Sequence, residues 1–273
     1  IGGSYVGWTQ WELAHARPPH LVTIMPQAIS ANLLDREMSG VLRLGRVLWW
    51  TINTLSPDLR FRAQNFSGPR TTDEAERLWS NLDRSKWLWY LPLMEIPDTV
   101  MFGMGYHWRN WLENHTTDHF GFLNKHDSVD VPALITTGWY DQQIGAIKHF
   151  TGMRSNAATK AAQTQTKLIV GPWTHAAFDL SGKVGEIDFG AEATIDYLDL
   201  ADDWFSYFLK GENNGVLEWP AVRIFVMGAN QWRNFDNWPV SGTTYGQLYL
   251  TVDGTLTWNK PNEGRPDQYV YDP

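Results

Sequence analysis

The sequence predicts an α/β fold, a mostly parallel sheet with helices on its faces, and three observations predict it. Short apolar runs of strand length recur at Leu21 to Met25, Val131 to Thr137 and Thr166 to Val170. Helical patterns follow them, at Ile144 to Met153 after the second and at Glu192 to Lys210 after the third. The last two runs each pass into glycine, at Gly138 and Gly171, where a chain can turn sharply out of a strand. Strands alternating with helices build a parallel sheet, because each crossover lays its helix on one face.

The elements follow in order. Ile1 to Gly7 reads Ile-Gly-Gly-Ser-Tyr-Val-Gly, and Trp8 to Arg17 is a helix stopped by Pro18-Pro19. From Ala31 to Asn124 no convincing strand is predicted. Leu34, Val41, Leu44 and Leu48 recur at helical spacing, Thr71 caps an acidic first turn, and Trp108 to Glu113 is a further helical piece. In the helix expected over Glu192 to Lys210, Ile195, Leu198, Phe205, Phe208 and Leu209 form the apolar face and Gly211 is the stop. After it, Ala221 to Met227, Tyr245 to Val252 and Gln268 to Tyr271 are strand-like and separated by turn residues. The resulting division is residues 1–30 as sheet core, 31–125 as a helical insertion, 126–215 as the second part of the core, and 216–273 as the opening of an all-β domain. The chain starts at Ile1 inside a motif and stops at Pro273 soon after strand-like segments, so both ends read as cuts.

Composition narrows the function. The 273 residues suffice for one and a half to two domains, and 43% apolar residues supply ample core. A net charge of −8 gives no basic footprint for nucleic acid. The absence of cysteine excludes disulfides, thiolate metal sites and a cysteine nucleophile, but leaves the compartment open. No apolar run has the length of a membrane span. The 16 tryptophans admit two readings: a large aromatic core, or sugar stacking in a carbohydrate-binding module around Trp232, Trp238 and Trp258. His115 and His119, four apart around Asp118, could share a helix face as metal ligands. The glutamate-bearing H-E-x-x-H pattern is absent, and polar lining of the helical insertion explains them better, so neither a metal nor a cofactor is expected.

Three segments carry chemistry. In Gly2-Gly3-Ser4-Tyr5-Val6-Gly7 the spacing departs from G-x-S-x-G, since the last glycine comes one residue late. Small residues around the serine still suit a strained strand-to-helix turn, and Gly7 would let the helix approach closely. The Tyr5 N–H would then face a developing oxyanion at the helix N-terminus. A glycine-rich turn with a surface serine is the bland alternative. Asp141 follows the strand ending at Gly138 and His175 the strand ending at Gly171. Alone, Asp141 could be a helix N-cap and His175 a structural loop residue. Together, Ser4, Asp141 and His175 lie beyond strand ends, in the chain order of an α/β-hydrolase triad: nucleophile, orienting acid and general base.

These segments resemble the cocaine esterase/X-Pro dipeptidyl-peptidase (CocE/NonD) group of serine hydrolases. The resemblance is carried by Gly2 to Gln10, Gly138-Trp139-Tyr140-Asp141, Gly171-Pro172-Trp173-Thr174-His175, Tyr207-Phe208-Leu209-Lys210-Gly211, and Val222 to Gly228 with Trp232-Arg233. It implies an α/β-hydrolase domain with a helical cap, a C-terminal jelly roll, and Ser4, Asp141, His175 and the Tyr5 amide in the roles above. It also implies a second oxyanion donor, a tyrosine hydroxyl upstream of the elbow and outside this chain, so that the chain alone would be a poor catalyst. The expected partner is a small ester, amide or short peptide, with neither nucleic acid nor membrane. Gln142 and Gln143 argue against an acid-lined site for a substrate amine, while Asp35, Glu37 and Glu113 are the acidic candidates a dipeptidyl-peptidase would need.

Overall fold

The computed structural model describes residues 1–32, 44–57, 68–114, 121–143, 145–175, 180–262 and 268–270. The chain opens with β1 (Gly2–Gly3), α1 (Tyr5–His15) and β2 (Pro26–Gln27). A helical stretch follows, with α2 (Leu44–Trp50), α3 (Thr72–Asn81), α4 (Arg84–Trp87) and α5 (Gly105–Glu113). Then come β3 (Leu134–Gly138), α6 (Ala146–Asn156), α7 (Lys160–Gln165) and β4 (Lys167–Gly171). A small hairpin, β5 (Lys183–Val184) and β6 (Ile187–Asp188), precedes α8 (Tyr197–Phe205) and the strands β7 (Val222–Val226) and β8 (Gln231–Phe235). A last hairpin pairs β9 (Tyr249–Leu250) with β10 (Leu256–Thr257).

The six-stranded sheet has the order β1-β2-β3-β4-β7-β8. Every neighbouring pair is parallel except β7 with β8. The predicted α/β class with a parallel sheet is therefore the observed one. Side chains alternate across the sheet as a period of two requires. Ile135, Leu168, Val170, Val222 and Ile224 face one way, onto Trp11 of α1 and Phe150 and Met153 of α6. Leu134 and Ile169 face the other way, onto Trp173 and onto Tyr197, Leu200 and Trp204 of α8. Strands buried on both faces read as continuous apolar runs, which is why β3 and β4 were legible. A third cluster, Val47, Leu48, Ile52, Ile96, Val100, Met101, Met104 and Trp108, lies wholly within the helical stretch.

Several local expectations change. The strand expected over Leu21 to Met25 is displaced toward Pro26–Gln27, leaving Ile24 as an isolated bridge to Ala133. The helix expected from Glu192 starts only at Tyr197, because the Asp196 carboxylate caps it by accepting the Leu198 and Asp199 amides. The buried face is Tyr197, Leu200, Ala201 and Trp204, with Ile195, Phe205 and Phe208 of the expected face packed beside it, whereas Leu198 and Leu209, expected inside, are exposed. Gly211 does end the helical run, in the left-handed conformation. Thr71 caps α3 as expected, and Glu74 reaches back to the Arg70 amide. The helix α7 and the strand β8 have no counterpart among the expected elements. β7 and β8 fall within the segment expected to open the all-β domain and form one edge of the central sheet. Gln268, Tyr269 and Val270 lie in no strand, and Tyr271 lies outside the described residues. So do Leu34, Asp35, Glu37, Val41, His115, Asp118 and His119. Among the described residues no helix is long and apolar enough to cross a membrane.

Beside α1, two buried imidazoles are packed together. His149 stacks on Trp11 at a centroid distance of 4.1 Å, and its Nδ1 lies 3.0 Å from His126 Nε2. Burial pushes His126 down to about 4 and holds His149 well below its ordinary value. The unfolded chain therefore takes up these protons first as pH falls, so stability is whole above about pH 6.5 and is lost as pH falls toward 4. His126 alone should remove about 2 kcal/mol of unfolding free energy between pH 7 and pH 5. Urea unfolding at the two pH values checks this: His126→Leu should flatten the dependence by that amount, and an unchanged slope would refute it.

Candidate active site

Three strand ends converge on one point, and each brings one of the residues singled out in the sequence. Ser4 sits between β1 and α1 with φ 56° and ψ −128°, a conformation costly for any residue with a Cβ. It persists because its surroundings over-determine it. The Ser4 N–H donates to the Gln27 carbonyl at 2.9 Å, and the Trp8 N–H donates to the Ser4 carbonyl at 3.1 Å. Glycine is required on both sides. A Cβ at Gly2 would stand 2.5 Å from Val6 Cγ1, and one at Gly7 would stand 2.9 Å from the Gln27 carbonyl oxygen. Gly7 thus does what the sequence suggested: it lets α1 lie directly against β2.

Asp141 and His175 come from the loops after β3 and β4, and those loops are bonded to each other. The Trp139 N–H donates to the Gly171 carbonyl at 2.8 Å, and the Tyr140 N–H to the Trp173 carbonyl at 3.1 Å. Two glycines allow this contact: a Cβ on Gly138 would lie 2.0 Å from the Trp173 carbonyl oxygen, and one on Gly171 would lie 2.3 Å from the Trp173 ring. Asp141 is not a helix cap, since α6 begins later, after Gly145.

The three side chains form one hydrogen-bonded line. His175 Nε2 lies 2.9 Å from Ser4 Oγ, and His175 Nδ1 lies 3.0 Å from each Asp141 carboxylate oxygen. The Asp141 side chain is fully buried and the His175 side chain about a quarter exposed, at 26%. The carboxylate also accepts the Gln143 N–H at 2.8 Å, so two donors, that amide and the imidazole, compensate its burial. A carboxylate at Asp141 accepts the Nδ1–H, which keeps the proton on that nitrogen and leaves Nε2 with its lone pair toward the serine hydroxyl. The Tyr5 N–H belongs to the first turn of α1, where amides lie outside the helical ladder and the dipole is positive. The arrangement can take a proton from Ser4 Oγ and hold the resulting imidazolium beside a buried carboxylate.

Much of this frame is held by glutamine. Gln143, expected to bear on substrate charge, is fully buried, and its Oε1 accepts both the Ser30 N–H at 3.1 Å and the Ser30 hydroxyl at 2.8 Å. It ties the acid loop to the chain leaving β2. Gln10 plays a comparable part under the elbow. No spacing or composition signal marks either role, because the partners lie on other strands. Trp232 packs on Trp173 and Phe225 and donates to the Glu192 carbonyl, and Trp238 packs on Trp139, while Trp258 is 70% exposed. Glu113 is exposed at the end of α5.

Comparison with known proteins adds a lineage. Residues 1–177 match the family described as X-Pro dipeptidyl-peptidase (S15 family), and residues 214–273 match the X-Pro dipeptidyl-peptidase C-terminal non-catalytic domain. Cocaine esterase from Rhodococcus sp. (strain MB1 Bresler) is 28% identical over 299 aligned residues, which take in 100% of this chain and 49% of the relative. The chain thus spans about half the length of that protein. Among solved structures, an aminopeptidase from the marine sediment archaeon Thaumarchaeota archaeon superposes with a TM-score of 0.64 at 20% identity, over 96% of this chain and 42% of the other. A CocE/NonD family hydrolase from Staphylococcus aureus does so with a TM-score of 0.55 at 20% identity, over 94% and 38%. At such identities the structural likeness speaks for the fold.

Proposed function

The chain belongs to the X-Pro dipeptidyl-peptidase (S15) family of CocE/NonD-type hydrolases, and from that membership we propose that it is the catalytic part of a serine hydrolase, with Ser4 as nucleophile, His175 as general base and Asp141 as the residue that orients the imidazole. One observation carries the reading: a single imidazole stands between a serine hydroxyl at 2.9 Å and a buried carboxylate at 3.0 Å. In the proposed reaction Ser4 Oγ attacks the substrate carbonyl carbon while His175 Nε2 takes the hydroxyl proton. The oxyanion is met by the Tyr5 amide at the start of α1. His175 returns the proton to the departing alcohol or amine as the C–O or C–N bond breaks. Water then attacks the acyl-Ser4 ester with His175 as base, releasing the acid and restoring the serine. Every step uses protein groups and water, and no cofactor enters the scheme.

The substrate we propose is a small ester or amide with an uncharged acyl group. The acid loop supports this: beyond Asp141 it continues with the neutral Gln142 and Gln143 and brings no carboxylate for a substrate amine. Cleavage after an Xaa-Pro dipeptide is the second reading, favoured by the family match. Residues 31–125 are proposed as a helical cap over the site, supported by their own apolar cluster around Ile52 and Trp108. Residues 216–273 are proposed as the opening of a C-terminal jelly roll.

The test pairs labelling with substrate choice. A fluorophosphonate should label the protein at Ser4, mapped by peptide mass, and His175→Ala should slow labelling by at least ~10³-fold. Among substrates, a p-nitrophenyl acyl ester should be turned over faster than an Xaa-Pro p-nitroanilide. The opposite preference would move the assignment to the dipeptidyl-peptidase reading, and a folded protein that takes no label at Ser4 would refute the serine mechanism.

A further inference from the structure

Gln10 is buried, at 8% exposure, in the second turn of α1. Its amide is used on both ends. Nε2 lies 3.1 Å from the Gly2 carbonyl and 3.1 Å from the Val6 carbonyl, and Oε1 accepts the Met25 N–H at 3.0 Å. Gly2 and Val6 stand two residues on either side of Ser4, so one NH2 group bridges the two carbonyls that flank the elbow. The bridge spans a crowded place in the chain, since residue 2 has no room for a Cβ against Val6. Through Oε1 the same side chain reaches the approach to β2, whose Gln27 carbonyl holds the Ser4 amide and whose Met25 carbonyl takes the Gly2 N–H at 3.4 Å. A primary amide has two N–H donors and a carbonyl acceptor. Few other side chains could serve two carbonyls and one amide from a single position. A hydrocarbon there would leave the buried Met25 N–H without its acceptor and remove the amide bridge beside a residue already held at positive φ.

We infer that Gln10 is a positioning residue for the nucleophile: it staples the elbow across Ser4 and sets the height and direction at which Oγ meets His175. This inference rests on the reading of Ser4 as nucleophile. Gln10 touches neither substrate nor the reacting atoms and acts only through the backbone of residues 2, 6 and 25. Its loss should therefore leave an intact but misaimed serine. A displacement of about 1 Å in a reacting group costs on the order of 100-fold in rate.

The experiment follows fluorophosphonate labelling of the whole protein in two variants, recording the final stoichiometry and the rate constant separately, with kcat and KM for a p-nitrophenyl ester. Gln10→Met keeps the length and removes all three hydrogen bonds. Gln10→Glu keeps an acceptor for the Met25 N–H and loses the amide donors to Gly2 and Val6, and it carries the test if Gln10→Met does not fold. A positioning role predicts near-complete labelling in folded variant protein, with the rate constant and kcat lowered ~10- to 100-fold and KM little changed. A merely structural role predicts the reverse: lower stoichiometry or melting temperature, with the labelled fraction reacting at the unsubstituted rate. That result in either folded variant would overturn the inference. Failure of the unsubstituted protein to label at Ser4 is a different result, which would remove the nucleophile assignment and this inference with it.

Discussion

Ser4→Ala should lower kcat for ester hydrolysis by about 10⁶-fold, the scale seen when the nucleophile of a hydrogen-bonded triad is removed. The size follows from the geometry. His175 Nε2 has Ser4 Oγ as its partner at 2.9 Å, and alanine offers nothing to deprotonate. The fold should survive, because the Ser4 backbone bonds to Gln27 and Trp8 do not involve the side chain. A companion substitution separates function from strain. Ser4→Gly should be equally inactive yet more stable than Ser4→Ala by about 1 kcal/mol, since glycine adopts φ 56° without a Cβ penalty. Steady-state kinetics and urea unfolding of both variants read the two effects independently. Residual activity in Ser4→Ala above about a thousandth of the starting rate would reject Ser4 as nucleophile.

The second large effect is expected at Asp141. Asp141→Asn should reduce kcat about 10⁴-fold, although it is nearly isosteric. Both carboxylate oxygens stand 3.0 Å from His175 Nδ1 and fix the proton there. A carboxamide can turn an NH2 toward Nδ1 and favour the tautomer whose Nε2 carries the proton, so the ring would donate to Ser4 instead of accepting from it. It also removes the negative charge that stabilises the imidazolium. The side chain is fully buried, so no solvent replaces it directly. The fluorophosphonate labelling rate should fall in parallel with kcat while KM changes little. A loss below 10-fold would show that His175 keeps its working tautomer without Asp141, and the acid would have to be sought elsewhere.

How much of this was legible beforehand depended on how local the signal was. β3 and β4 announce themselves as apolar runs because both faces are covered. The Thr71 cap and the Gly211 stop need only neighbours within a turn. β8 carries no such mark: Gln231, Arg233 and Asn234 are exposed, and only its pairing with β7 makes it a strand. The helix expected from Glu192 starts only after the Asp196 cap, and of its expected apolar face Ile195, Phe205 and Phe208 pack on the core while Leu198 and Leu209 stay exposed, a difference that only the packing of α8 on the sheet decides. The neutrality of Gln143 after Asp141 is all that the sequence offers, whereas its Oε1 accepts from Ser30, 113 residues earlier in the chain.

By itself, the sequence determined the α/β alternation, the glycines at the elbow and strand ends, and the order Ser4, Asp141, His175, all of which are written in residue type and short spacing. Only the tertiary structure decided that these three side chains meet within hydrogen-bonding distance, and that Gln10, Ser30 and Gln143 hold the frame. A serine 171 residues from its histidine, or an amide 15 residues from the N–H it accepts, finds its partner through the packing of a sheet. That long-range term is absent from any local pattern.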